Sequence, residues 1–426
     1  MESVVNEKLP GLLRSQYEQV RTLWDNLCKP LVREDYVMQT EAGVSPPKWH
    51  LAHTTWFFEE FILKDHLKGY EIFNEKFPFL FNSYYNSMGQ FMEKESRGMV
   101  SRPTLDDVLA YRRHVDSAMN ELFTTMDSDS RVDSLLPMVR LGLNHEQQHQ
   151  ELFLMDIKNI FYHNPLNPVY KEQTAVNGSA RPAPFAWHQV DEGLTEIGFA
   201  GDEFCYDNEE PRHKTFLQNH AFATRPVLNG EYLEFIKAGG YRDSRYWLSD
   251  GWNAVHQHGW FAPKYWLRDE GGFKIMTLNG MKPIDENEPV SHVSYYEADA
   301  FARWKGLRLP TEFEWEHTAQ HHQIRGNFMD DEVYHPTAPQ NRDGEPCADL
   351  YGNLWEWTMS PYMPYPGFQA LAEGVKEYNG KFMCNQFVLR GGCCATPADH
   401  IRPTYRNFFY PDDRWQFSGF RLAKDL

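Results

Sequence analysis

Along the first 160 residues, apolar positions recur near the 3.6-residue period of a helix with one buried face. In "LLRSQYEQVRTLWDNL", Leu12, Tyr17, Val20, Leu23, Trp24 and Leu27 fall near one stripe. "HLAHTTWFFEEFILKDHL" is a second periodic run. "TLDDVLAYRRHVDSAMNELFTTM" opens on Thr104 as a cap, with Asp106 and Asp107 in the first turn, where carboxylates complement the helix dipole. "SLLPMVRLGLNHEQQHQELFLMDIKNIF" is the fourth. Four such segments predict a helix bundle. The loop between the second and third, from Glu71 to Pro103, is long and rich in Phe, Tyr, Asn and Gly. Loops of that length in compact domains are commonly functional.

The texture changes across "NPLNPVYKEQTAVNGSARPAPFA", residues 164–186. Pro, Asn, Gly and Ala dominate there, as expected of a boundary. Beyond it, short β-branched or aromatic runs alternate with Gly, Asp, Asn and Pro, and only 229–238 and 295–305 read as helices of any length. The expected organisation is a helical domain over 1–165, a linker over 166–186 and a turn-rich α+β domain over 187–426. No solenoid repeat or low-complexity tract interrupts it.

Charge and composition narrow the function. The net charge of -18 disfavours nucleic acid or an anionic membrane as the main partner, because phosphate binding needs clustered Lys and Arg. The N-terminus is polar and lacks a basic start followed by an apolar run, and no stretch approaches the ~20 apolar residues that span a bilayer. A cytoplasmic location is expected. The six cysteines form no CxxC pattern and are too few for a disulfide scaffold. The adjacent Cys393 and Cys394 are expected to be ordinary thiols.

The chemistry concentrates in "LGLNHEQQHQELFLMDI", residues 141–157. His145 and His149 stand four apart, so a helix aims both imidazoles at one point. Upstream, "PPKWHLAHTTWFFEEF" offers His50 and His53, three apart and also on one helical face. One or both could complete a metal site between facing helices. HExxH invites a zinc-protease reading with Glu146 as base. Three neutral imidazoles with open positions equally suit Fe(II) holding a substrate and dioxygen together. The residues alone leave zinc and iron open.

"WHLAHTTWFFEEF" with "NHEQQHQE" resembles the DinB-like helical domain of the ergothioneine-biosynthesis sulfoxide synthases, the EgtB family. "RLPTEFEWE", "YGNLWEW", "VLRGGCCATP" and "FSGFRLA" resemble the domain joined to it, a formylglycine-generating-enzyme (sulfatase-modifying factor) module with a C-type-lectin-like α+β fold. The resemblance implies an α+β multidomain protein with a DinB-like four-helix bundle. It implies Fe(II) on His53, His145 and His149, with His50 a neighbour. It also implies O2-dependent coupling of cysteine, or γ-glutamylcysteine, to the imidazole C2 of trimethylhistidine (hercynine), giving a sulfoxide.

Carried over by position, Gln148 would hydrogen-bond the substrate imidazole. Asn407, in "TYRNFFYP", would face the amino-acid end of hercynine. Where many members have an acidic residue two positions on, this chain has Phe409, which favours free cysteine as donor. Tyr84 and Tyr85, in "LFNSYYNSMG", resemble the cysteine-using subgroup, in which paired tyrosines serve bound oxygen. Arg97 and Arg102 are candidates for the cysteine carboxylate, since Arg pairs bidentately. Phe408, Phe409 and Trp415 are candidate faces for the quaternary ammonium. "HIRPTYRN" lacks the copper-binding cysteine pair of formylglycine-generating enzymes, so the second half reads as scaffold and pocket wall. Alternative readings are a selenoneine synthase taking a selenosugar, a DinB-type thiol-dependent metal transferase and a non-catalytic binding module. The ovothiol-type C5 chemistry is a weaker match, because no Gly-rich methyltransferase segment follows "FRLAKDL".

Overall fold

The computed structural model describes residues 9–126, 132–172, 181–371, 375 and 377–426. Residues 173–180 of the expected linker lie outside the described residues. The chain divides into two compact units: Met1–Leu166 with Ala372–Tyr378, and Asn167–Leu371 with Asn379–Leu426.

The first unit is a helix bundle. Helix α1, Leu9–Cys28, buries Leu13, Tyr17, Val20, Trp24 and Leu27, spaced alternately four and three apart. The expected stripe is shifted at its start: Leu12 is 53% exposed and Leu13 takes the core position, because it lies one helical turn before Tyr17. Helix α2, Pro47–Phe58, begins with Pro in its first turn, where a missing N–H costs nothing. All of its residues are buried, so it is the central helix rather than an amphipathic one. It packs on α3, Leu105–Met126, and on α4, Val132–Tyr162; α1 packs on the same two.

Beyond Phe58 the backbone widens into a π turn, Glu59–Leu63. It carries Glu59 inward, where its carboxylate accepts from Tyr111 Oη (2.5 Å), Tyr70 Oη (2.6 Å) and Phe73 N (3.1 Å). A buried carboxylate needs such partners, and these tie the start of the long loop to the bundle. The loop itself is built of short helical turns at Phe77–Phe81, Asn86–Met88 and Lys94–Met99. Among the described residues, no helix is long and apolar enough to cross a membrane.

Among the described residues, the second unit holds four small sheets. Strands β1 (Trp187–Val190), β4 (His220–Ala223) and β12 (Ala423–Asp425) form one in the order β1-β4-β12; β2 (Gly193–Ile197) and β3 (His213–Leu217) form a ribbon. Strands β5 (Trp266–Asp269), β6 (Gly272–Thr277) and β7 (Gly280–Pro283) form a meander. The fourth has the order β10-β9-β8-β11, from Asn407–Phe409, Phe387–Arg390, Trp355–Pro361 and Ser418–Gly419. Helices α5 (Asn229–Lys237) and α7 (Tyr295–Trp304) fall where the sequence places them. Two more, α6 (Ser249–His258) and α8 (Glu312–Ala319), are not anticipated. The signal for α8 is legible: Thr311 and Glu314 form a capping box, T-x-x-E, ahead of Trp315.

The motifs of this unit interlock through buried ion pairs. Arg390 of "VLRGG" reaches Glu316 and Glu312 of "TEFEWE". Arg406 is bidentate to Glu312, and Arg421 of "FSGFRLA" is bidentate to Glu356 of "LWEW". Trp315 Nε1 donates to the same Glu356 carboxylate at 2.9 Å. Gly391 sits at φ +100, where a Cβ would meet Leu350 O at 2.4 Å, so only glycine fits that turn.

Candidate metal centre

Helices α2 and α4 bring His53, His145 and His149 together, with one ligand nitrogen from each within 4.8 Å of the others. All three side chains are buried. Burial pushes every one of their pKa values down: well below the ordinary range for His53 and His149, and to about 3 for His145. The rings are therefore neutral, which is the state that binds metal.

Their hydrogen bonds assign the tautomers. His53 Nδ1 faces the Phe81 carbonyl oxygen at 2.5 Å, so it carries the proton and leaves Nε2 bare. His50 Nε2 faces Asp156 Oδ2 at 2.9 Å and donates to it. The bare His50 Nδ1 then accepts from His149 Nδ1, also at 2.9 Å, which leaves His149 Nε2 bare as well. His53 Nε2 and His145 Nε2 stand 3.1 Å apart. Two nitrogens each ~2.1 Å from one ion are separated by about 3 Å when they subtend roughly a right angle at it. Donor type, neutrality and spacing all fit a bound divalent ion.

Glu146 does not belong to this cluster. It is fully buried against Arg21, Arg112 and Trp24 Nε1, which donates at 2.7 Å. A carboxylate committed to two guanidinium groups and an indole is not a general base beside a metal. This removes the zinc-protease reading of HExxH.

Aromatic rings pack the centre. Trp49 stacks on His53 with centroids 4.4 Å apart, and the Arg97 guanidinium lies 3.5 Å from the Trp49 ring. Arg97 is buried and donates to Ser45 Oγ at 2.9 Å. Burial pushes its pKa down to about 9, against the opposing pull of Asp156. Arg102 is different: it stays exposed and donates to the Ser101 carbonyl, so the structure does not bring it to the cluster.

Tyr85 is wholly buried, with Trp56 at 5.9 Å and Phe61 at 5.1 Å. Tyr84 stacks on it, and the two hydroxyls are 3.5 Å apart. Burial, reinforced by Tyr84 and Tyr378, raises the Tyr85 pKa well above the phenol range, so the phenol keeps its proton at neutral pH. Asn82 fixes the turn through its side chain, accepting from Tyr85 N (3.0 Å) and donating to Tyr85 O (2.9 Å).

Two residues of this site, Tyr378 and Glu377, carry no signal in the sequence. Tyr378 lies 230 residues from Gln148, yet its hydroxyl donates to Gln148 Oε1 at 2.5 Å, and its ring is 5.9 Å from His145. Glu377 accepts from Ser87 N (2.9 Å) and Asn86 N (3.2 Å), beside the Tyr84–Tyr85 pair. Nothing local in "GVKEYNG" marks either residue.

The other candidates lie in the second unit. Asn407, Phe408 and Phe409 form β10, paired in register with Leu389, Val388 and Phe387. Phe408 stacks on Tyr362 at 4.1 Å, and Phe409 meets Trp415 edge-on at 5.4 Å. Asn407 Oδ1 accepts from Phe408 N at 2.9 Å. Cys393 and Cys394 are buried and form no disulfide among the described residues.

Comparison with known proteins accounts for both units. Residues 16–153 match the DinB superfamily, and residues 180–345 and 339–426 match the sulfatase-modifying factor enzyme 1-like domain. This pairing of a helical DinB-like domain with a sulfatase-modifying-factor-like α+β domain is the architecture expected from the sequence. The hercynine oxygenase of Mycobacterium tuberculosis is 30% identical over 415 residues, covering 91% of this chain and 93% of that protein. The hercynine oxygenase of Mycolicibacterium smegmatis is 29% identical, covering 90% and 92%. Ergothioneine biosynthesis protein 1 of Schizosaccharomyces pombe is 27% identical over 272 residues, covering 61% of this chain and 31% of that one. The class so defined is an oxidoreductase. The chain belongs to the hercynine oxygenase family, the EgtB-type sulfoxide synthases.

Proposed function

We propose that this enzyme joins the sulfur of cysteine to C2 of the hercynine imidazole, with Fe(II) held by His53, His145 and His149. The balance is one thiol, one hercynine and one O2 giving one sulfoxide and one water. The observation that carries this reading is a buried, neutral three-histidine group adjoined by phenols and an amide. When bound, the iron supplies the chemistry that activates dioxygen and favours a thiolate over a thiol.

The remaining roles fall to the protein's own side chains. Gln148, oriented by the Tyr378 hydroxyl, is the group that hydrogen-bonds the imidazole of hercynine. Holding both organic substrates at one centre makes carbon–sulfur coupling an internal step. Tyr85, protonated and desolvated, donates a proton during oxygen reduction, and Tyr84 relays one to it across their 3.5 Å contact. Arg97 is a buried cation suited to the cysteine carboxylate. Trp49, Trp56 and Phe57 pack around His53 and His145 and exclude water from the reacting groups.

The test is anaerobic loading with Fe(II), addition of hercynine and O2, and mass spectrometry of products from cysteine, γ-glutamylcysteine or a selenosugar in separate reactions. Hercynylcysteine sulfoxide from cysteine, with one O2 consumed per product, is the expected result. Preference for either other donor would replace cysteine in the proposal, and no oxygen-dependent product from any would end it.

A further inference from the structure

The three clustered histidines are backed in three different ways. His53 leans on a backbone carbonyl, that of Phe81. His145 Nδ1 has no hydrogen-bond partner among the described residues. His149 alone is backed by a side-chain chain: Nδ1–H to His50 Nδ1, then His50 Nε2–H to Asp156 Oδ2, each at 2.9 Å. His50 is 1% exposed and Asp156 3%.

We infer that His50 and Asp156 are a positioning relay for His149, setting its tautomer and its strength as a donor. The inference rests on reading His53, His145 and His149 as a metal site. A ligating imidazole whose other N–H meets a carboxylate, a carbonyl or water has a fixed ring and raised basicity. Here an imidazole stands between ligand and carboxylate. Neither ring nitrogen of His50 is available to the ion, since one faces His149 and the other Asp156. His50 is thus a support and not a fourth ligand.

The support is itself anchored. Asp156 Oδ2 accepts a second hydrogen bond, from Ser45 N at 2.8 Å, and Ser45 Oγ accepts from Arg97 Nη1. Asp156 lies on α4 seven residues after His149, two helical turns along the same face. His50 lies on α2, one turn before His53. Each of the two ligand-bearing helices therefore gives the relay one member, so it fixes the helix pair as well as the ring.

Metal binding by the intact protein tests this, read as Co(II) affinity by chelator competition and as the Co(II) ligand-field spectrum. Asp156→Asn keeps an acceptor for His50 but loses the charge; His50→Ala removes the acceptor of His149. The expected result is a weakening of Co(II) binding by about 10- to 100-fold in both, with shifted bands and near-native circular dichroism. His145→Ala serves as the reference for loss of a ligand. If the parent and His145→Ala bind Co(II) alike, the metal reading itself fails. If His145→Ala loses the metal while Asp156→Asn and His50→Ala keep the parent affinity and spectrum, the relay alone is overturned. Should a variant not fold, selective ¹⁵N-histidine spectra of the Zn(II)-loaded parent decide. A proton on His149 Nδ1 supports the relay, and a proton on His149 Nε2 refutes it.

Discussion

Tyr378 donates to Gln148 across 230 residues of sequence, one position from the ligand-spaced His149. The two side chains thereby form one hydrogen-bonded unit beside the three-histidine group, with the Tyr378 ring 5.9 Å from His145.

Tyr378→Phe and Gln148→Ala should therefore not be additive. Each single variant should raise the KM for hercynine. The double-mutant cycle on kcat/KM should return a coupling of about 0.5–3 kcal/mol, as residues in one hydrogen-bonded network do. Strict additivity would mean that the bond orients nothing the substrate uses.

Tyr85→Phe should change what is made before it changes how fast thiol is consumed. Without the phenol proton, the sulfoxide should fall relative to cysteine sulfinate, measured by mass spectrometry at matched O2 consumption. Tyr84→Phe should have the same direction and a smaller size, since Tyr84 is only half-buried. An unchanged product ratio in both variants would take the tyrosines out of proton transfer.

In the second unit, Arg421→Met should cost about 3–5 kcal/mol in urea unfolding, because it strands the Glu356 carboxylate in a dry core. Glu356→Leu added to it should return part of the loss. Full recovery is not expected, since Arg421 also donates to the carbonyls of Ala223, Ala348 and Asp349, and Trp315 Nε1 donates to Glu356.

Stability of this unit should also depend on pH through Asp349. Burial raises its pKa to about 6, although Arg342 and Arg421 pull the other way. A carboxyl raised on folding contributes stability that is full below its ordinary value near 3.8 and is lost as pH rises through about 6. Asp349→Asn should remove this slope. The variant should gain on the parent by about 3 kcal/mol between pH ~4 and ~7, since each tenfold change in proton affinity is worth about 1.4 kcal/mol. Glu288 has the opposite sign. Despite burial, His335 and Lys282 lower it to about 2, so its stabilisation is present above the ordinary carboxylate range and fades only as pH falls toward about 2. Parallel denaturant melts of parent and Asp349→Asn across that range check the assignment; identical slopes would refute it.

What the sequence by itself determined is local. The 3.6-residue period marked α1, α3 and α4, and the four-residue step put His145 and His149 on one face wherever the helix went. Aromatic and charged motifs marked the second domain, although their pairing, such as Arg390 with Glu316, was not visible. Tertiary structure decided the rest. It put His53, the residue that the family resemblance implied, beside His145 and His149, because α2 is rotated so that His50 meets Asp156. It turned Glu146 away to Arg21 and Arg112, left Arg102 at the surface, and brought Tyr378 to Gln148. Helical geometry is set by bonds four residues long, and a sequence displays it directly. Contacts such as His53–His145, 92 residues apart, depend on how buried faces pack, and no spacing along the chain records that.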